Sequence, residues 1–226
     1  MAFQHFPREL QGFFKALKKN NSKDWLDAHR ADYDNLLMEP AKDFVEAMGP
    51  PLQKIAPGIR AEPRVNGSIM RMNRDTRFSK DKTPYKTAIH FIFWEGAGKA
   101  KDSPGLYLKF DDKEVGMAVG MMGFDPARLD RFRKAILDDV SGKALEKAIK
   151  SAAKPPYDLR DPHYKKVPRG FDADHPRGDL LRQNSLVVGG EAPLPDALYG
   201  GDFVAHCVHE FKKLRPVQAW LSEHVA

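Results

Sequence analysis

GLYLKFDDKEVGMAVGM, residues 105–121, is the stretch whose reading decides the fold. Gly105–Phe110 and Glu114–Met121 are strand-like runs, and Asp111-Asp112-Lys113 between them is a turn signal, so the pair forms a β-hairpin. In the second run Val115, Met117, Val119 and Met121 fall on one face, and Gly116, Ala118 and Gly120 on the other. A face that bare lets a helix or a ligand approach the backbone, a helix being the commoner occupant. Upstream, Thr87–Trp94 (TAIHFIFW) is an aromatic and β-branched strand, and Ser68–Asn73 is a shorter one. The links are too short for parallel crossovers, so these four strands form an antiparallel meander. Asn184–Gly189 (NSLVVG) adds a possible fifth.

On either side of the sheet the apolar spacing is helical. Pro7 precedes Leu10, Phe13, Phe14 and Leu17; Asn20, Asn21 and Ser22 then break that helix and cap the next, which carries Trp25, Leu26, His29, Tyr33 and Leu37. Pro40 kinks this helix or opens another holding Phe44, Val45 and Met48, and Gly49-Pro50-Pro51 begins its end. Downstream, Asp125-Pro126 starts a helix with Leu129, Phe132, Ile136 and Val140, and a second holds Leu145, Ala148 and Ile149. Lys154–Gly178 is a proline-, charge- and aromatic-rich loop, longer than the usual ~12–15 residues. Two helices, Asp202–Leu214 and Pro216–Val225, close the chain.

The expected fold is therefore α+β, an antiparallel meander sheet of four to five strands flanked by N-terminal and C-terminal helices. With no linker, repeat or low-complexity tract, 1–226 is expected as a single domain. Its parts are helical 7–56, sheet 63–122, helices and a long charged loop 125–182, and a strand with C-terminal helices 184–225. At 42% apolar the chain can bury a core, and no window approaches ~18 uninterrupted apolar residues, so no membrane span is expected. The start MAFQHFPREL lacks the basic and apolar regions of a secretory leader, which makes the expected location cytoplasmic. Cys207 is the single cysteine, excluding an internal disulfide, and it falls on an apolar helical stripe where a buried, inert thiol is expected.

Charge gives the first functional signal. The chain carries 37 basic and 31 acidic residues, a net +6. Between Arg60 and Lys86 eight basic residues face three acidic ones, so +5 of that excess sits in one stretch. Its densest part, Arg71–Lys86, links the first two strands and holds Arg71, Arg74, Arg77, Lys80, Lys82 and Lys86. Asp75 and Asp81 can each pair with one or two of these; the rest are left over. Arginine offers planar bidentate donors suited to phosphate, lysine a compact charge, and Thr76, Ser79, Thr83 and Tyr85 add hydroxyls. The functional reading is a phosphate or carboxylate cradle; the bland one is an arginine–aspartate network bracing a long loop.

A second charged loop offers Lys166 and Arg169 to the same anion, followed by Asp172, Asp174 and His175. Carboxylates beside a histidine suit acid–base chemistry or a metal, although these residue types also favour plain turns. His206, His209 and Glu210 share a polar helix face, where solvation explains them more simply than ligation. No metal and no cofactor is expected. Trp25, Tyr33, Phe91, Phe93, Trp94 and Tyr107 can stack bases if exposed, but their spacing places most of them in the core. The sequence holds no GxxxxGK[ST], strand-linked GxGxxG, HExxH or GxSxG.

RDTRFSKDKTPYKT (74–87), with NNSKDWLDAHRADY (20–33) upstream and KKVPRGFDADHPRGDLLR (165–182) downstream, resembles the uncharacterised bacterial and fungal family called domain of unknown function 2461. The resemblance runs from about Phe13 to about Leu221 and makes Arg74–Lys86 and Lys166–Leu181 its hallmark segments. It implies no activity, substrate or cofactor. Three readings follow from the residues. A binding module would hold an anionic small molecule or nucleic acid on Arg71, Arg74, Arg77, Lys80, Lys82, Lys86, Lys166 and Arg169. An enzyme on phosphorylated or acidic substrates would move protons through His175 with Asp174, or Asp75 with Tyr85. A scaffold would dock an acidic protein on the basic loop.

Overall fold

Asp111 Oδ1 accepts the N–H groups of Lys113 (2.7 Å) and Glu114 (2.9 Å), and Asp111 N–H donates to the Glu114 carbonyl (3.1 Å). This turn joins β3 (Gly105–Phe110) to β4 (Glu114–Met121), the two strands expected from the sequence. The computed structural model describes residues 3–226; Met1 and Ala2, the first two of the N-terminal stretch, lie outside it. Four further strands complete an antiparallel sheet: β1 (Ile59–Arg60), β2 (Ile89–Glu95), β5 (Asp158–Leu159) and β6 (Leu186–Pro193), in the order β1-β2-β3-β4-β6-β5. The fold is α+β with helices flanking the sheet. The count of six exceeds the expected four to five because β1 and β5 are two residues each, too short to show alternation. Among the described residues no helix is long and apolar enough to cross a membrane.

The chain divides into two compact units. The first takes the chain through Phe93, with Tyr107–Gly116 and Glu191–His209. Here α1 (Glu9–Lys19) buries Leu10, Phe13, Phe14 and Leu17, and Ser22 caps α2 (Lys23–Ala28) by accepting from Trp25 N–H (3.3 Å). A short α3 (Arg30–Asp32) and a π-helical turn (Tyr33–Met38) lead into α4 (Glu39–Ile55), with Pro40 in its first turn. Pro50 and Pro51 do not end α4. The stripe Phe44, Val45, Met48 and Leu52 is fully buried through them, so packing overrides the prolines' local preference. The rings of Phe6, Phe44, Phe91, Phe110 and Phe203 pack at 4.8–6.4 Å in the core. Each such burial stabilises by roughly 1.5–3 kcal/mol.

The second unit comprises Trp94–Leu106, Met117–Gly190 and Glu210–Ala226. Asp125 caps α5 (Pro126–Leu137) through Arg128 N–H (2.8 Å). Asp138 caps α6 (Asp139–Ala152) through Val140 N–H (3.0 Å) and Ser141 N–H (2.8 Å). That second cap places Val140 at a helix start, 81% exposed, and not on the buried stripe its spacing suggested. Strand β6 pairs with β5 through Asp158 opposite Gly189 and Leu159 opposite Val188. The bare face of β4 is explained at Gly120 by neither a helix nor a ligand. A Cβ there would strike the Leu186 carbonyl oxygen and lie 2.8 Å from Val187 Cα, so the glycine admits the backbone of β6. The long loop, Lys154–Gly178, contains β5 and runs into a four-residue helix, α7 (Gly178–Leu181). The two expected C-terminal helices are one, α8 (Phe203–His224), which carries Pro216 inside it. Phe211, Leu214, Val217 and Leu221 are buried on both sides of that proline, and their shared stripe keeps the helix continuous.

Candidate functional site

The cation-rich stretch is the tip of a long irregular hairpin in the first unit. Ile92 N–H donates to the Ser68 carbonyl (2.9 Å) and Met70 N–H to that of His90 (2.9 Å). Beyond them Lys86 N–H donates to Met72 (2.8 Å) and Arg74 N–H to Pro84 (2.8 Å). From Met70 to Met72 is two steps on one arm, while their partners His90 and Lys86 are four apart on the other. Thr87–Ile89 therefore bulges opposite Arg71. This slip is why Ser68–Asn73, expected as a strand, makes only isolated bridges, Ile69 to Val65 and to Phe91, and Asn73 to Tyr85. Asn21 braces the arm: its Nδ2 donates to the Tyr85 carbonyl (2.9 Å) and its Oδ1 accepts Tyr85 N–H (3.0 Å). Two of the three motif segments meet there.

Inside the tip the six cations divide by partner. Arg77 forms a two-pronged pair with Asp75 (Nε 3.0 Å, Nη2 2.7 Å), which holds the Asp75 carboxyl below its usual range. Arg74 donates to Asp81 and to the Thr83 hydroxyl. Asp81 falls to about 2, first because it accepts Thr83 N–H (2.9 Å) and then through Arg74. These two arginines brace the loop, as the bland reading has it. Lys82 Nζ reaches the Thr76 carbonyl (2.9 Å) and Lys86 Nζ the Arg71 carbonyl (2.9 Å), neither of which cancels charge. Among the described residues Arg71, Lys80, Lys82 and Lys86 pair with no carboxylate. Phe78 stands among them 95% exposed, with the Arg77 guanidinium 5.8 Å from its ring centre. Sequence reasoning passes over Phe78, although its place among loop cations is the available signal. Asp75 and Tyr85 are not joined by a hydrogen bond: Asp75 is exposed on Arg77, whereas Tyr85 is buried.

Lys166, Arg169, Asp174 and His175 belong to the second unit. Asp174 N–H donates to Asp172 Oδ1 (3.0 Å), an Asx turn, and His175 N–H to the Asp172 carbonyl (3.3 Å). His175 Nδ1 faces Arg177 N–H (3.0 Å) as acceptor, which leaves the ring proton of the neutral form on Nε2. Lys165, Lys166, Asp174, His175, Asp179 and Arg182 are among the residues lining a cavity of about 560 Å³. Arg169 is exposed outside that lining. Arg177 plays a different part. It is 5% exposed and donates to Glu146 (3.1 Å), Asp139 (3.0 Å) and the Ile136 carbonyl (3.0 Å), clamping the loop to α5 and α6. Sequence spacing gives no sign of this clamp.

Elsewhere the expected side chains are structural. Cys207 is fully buried. Glu210 accepts from the Tyr157 hydroxyl (2.7 Å) and Lys213 (2.6 Å), and His206 stacks beside Phe203. Among the described residues no group of three His, Cys, Asp or Glu side chains could hold a metal. Phe91, Phe93 and Trp94 are buried, while Trp25 stacks on His29 with ring centres 4.1 Å apart.

His90, at the base of the hairpin, is not marked out by its sequence context. Burial pushes its imidazole down to about 4, with Lys86 and Lys109 adding to the effect. The unfolded chain, titrating near 6.5, then binds a proton that the folded chain refuses. Stability is retained above that value and falls as pH drops towards 4, by about 2–3 kcal/mol in all. Urea unfolding at neutral and acid pH should show this loss in the wild type and a shallower one in His90→Phe; parallel curves would refute it.

The sequence profile of the family described as "Conserved hypothetical protein (DUF2461)" matches residues 9–220. No curated protein matches the chain.

Proposed function

The chain belongs to the DUF2461 family, and we propose that it is a cytoplasmic binding protein whose hairpin tip holds a phosphate-bearing ligand with an aromatic base, either a nucleotide or single-stranded nucleic acid. The observation that carries this reading is Phe78, projecting into solvent beside Lys80 and Lys82, whose charges no carboxylate cancels. An exposed ring amid free cations suits a base stacked on the aromatic face and a phosphate beside it. Arg71 and Lys86 extend the positive field down the arm. Arg74 and Arg77 keep the tip in shape through Asp81 and Asp75.

Fluorescence titration with a short single-stranded oligonucleotide and with a mononucleotide, at several salt concentrations, tests the proposal. Phe78→Ala should cost roughly 1–3 kcal/mol of affinity. Lys80→Glu with Lys82→Glu should flatten the log–log salt slope by about 0.7 for each phosphate no longer neutralised. Variants that bind like the wild type, or a wild type that binds neither probe at low salt, would overturn it. A second reading, acid–base catalysis on a phosphorylated or acidic substrate, draws support from the cavity beside His175, where an imidazole with its proton on Nε2 shares a lining with Lys165, Lys166 and Asp174. It requires His175→Gln to abolish turnover while hairpin variants do not.

A further inference from the structure

The sheet face turned away from the phenylalanine cluster carries a polar row that the hairpin tip does not use. Three backbone hydrogen bonds set its register. Glu95 N–H on the Pro104 carbonyl (3.2 Å) aligns β2 with β3 and brings His90 opposite Lys109. The Asp111–Glu114 bond (3.1 Å) brings Lys109 opposite Gly116, and Leu194 N–H on Lys113 (3.2 Å) brings Gly116 opposite Glu191. Side-chain packing agrees with this register. A Cβ at Gly116 would lie 2.7 Å from Lys109 Cε and 3.3 Å from Glu191 Cγ. The glycine thus opens a groove along which Lys109 lies flat to pair with Glu191.

His90 stands at the other end of that row. Neither of its ring nitrogens bonds a described residue. Lys86 lies four residues earlier on the same arm, its ammonium resting on the Arg71 carbonyl of the facing arm, next to the Met70–His90 backbone pair. It is a half-buried ammonium satisfied only by a neutral acceptor. Such a charge is poorly solvated and lacks a counter-ion. Tyr107, two residues before Lys109 on the same face of β3, keeps its proton because burial raises it to about 12, so its hydroxyl is available as a donor.

We propose that His90, Lys86 and Lys109 form an anion site that receives one phosphate or carboxylate group, with Glu191 occupying Lys109 until such a group displaces it. This goes beyond the hairpin-tip reading and shares no residue with its test. A bound dianion supplies the counter-charge that Lys86 lacks and outcompetes the single carboxylate of Glu191. It also reverses the electrostatics at His90, which feels Lys86 on its own arm and Lys109 on β3, with Glu191 of β6 paired to Lys109 beyond. The imidazole should therefore take up a proton as the anion binds.

Inorganic phosphate titrated into the full chain, with the His90 ring followed by NMR, tests the site. Wild type should give a saturable shift, and the His90 titration should move up by at least about one pH unit, a tenfold change in proton affinity. Glu191→Gln should tighten phosphate by several-fold and Lys109→Met should weaken it by about tenfold. Lys80→Glu with Lys82→Glu should leave the His90 response in place, whatever it does to oligonucleotide binding. An unmoved His90 signal in both wild type and Glu191→Gln would overturn the proposal. So would a response abolished by the tip variants, which would assign it to the hairpin.

Discussion

Gly120→Ala should destabilise the second unit by more than about 3 kcal/mol, because the added methyl meets backbone and not a movable side chain. Its Cβ would strike the Leu186 carbonyl oxygen and lie 3.0 Å from that carbonyl carbon. Relief requires β6 to move, which breaks the ladder between β4 and β6. The residue also adopts φ +154°, which side chains rarely accept. Gly123→Ala separates the two effects: its φ is +68°, yet nothing lies within 4 Å of the added Cβ. That control should cost about 1 kcal/mol, for backbone strain alone. Chemical denaturation of both variants measures the difference, and equal losses would remove the clash as the cause.

Arg177→Met should cost about 2–4 kcal/mol, most of it from one hydrogen bond. Asp139 and Glu146 are 78% and 48% exposed, so water replaces much of what the guanidinium gave them. The Ile136 carbonyl is buried against Arg177 Nη1 and has no such recourse. Arg177→Lys should recover little, since an ammonium cannot spread donors to three directions in one plane. Gly142 leaves the space for this clamp: a Cβ there would lie 2.8 Å from Arg177 Cζ. Urea midpoints within experimental error of wild type would show that the loop is held by other means.

What is legible in the sequence is what alternation and turn chemistry write in long runs. Both edges of β3 and β4 follow from Asp111-Asp112-Lys113 and the flanking apolar pattern, and the cap at Asp125-Pro126 from two adjacent residues. The first arm of the hairpin reads as too regular, because a slip in register leaves no mark on composition. Pro50, Pro51 and Pro216 suggest breaks that buried stripes override. The six cations are legible as a cluster, but which carboxylate each meets depends on loop geometry. Spacing therefore cannot separate Arg74 and Arg77, which brace the tip, from Lys80 and Lys82, which are free of ion pairs. His90 and Lys109 are hidden for a related reason, since cross-strand neighbours lie far apart in the chain.

The bulge opposite Arg71 skips an even number of residues, and parity decides orientation in a pleated ribbon. Ile69, Phe91 and Tyr85 all remain buried on one side of the slip and the other. Lys86 and His90 likewise remain on a common face despite belonging to differently registered ladders. A gain or loss of one residue between Thr87 and Ile89 would drive the lysine inward and carry the tyrosine out to water. Length changes at this point are compatible with the fold only in pairs.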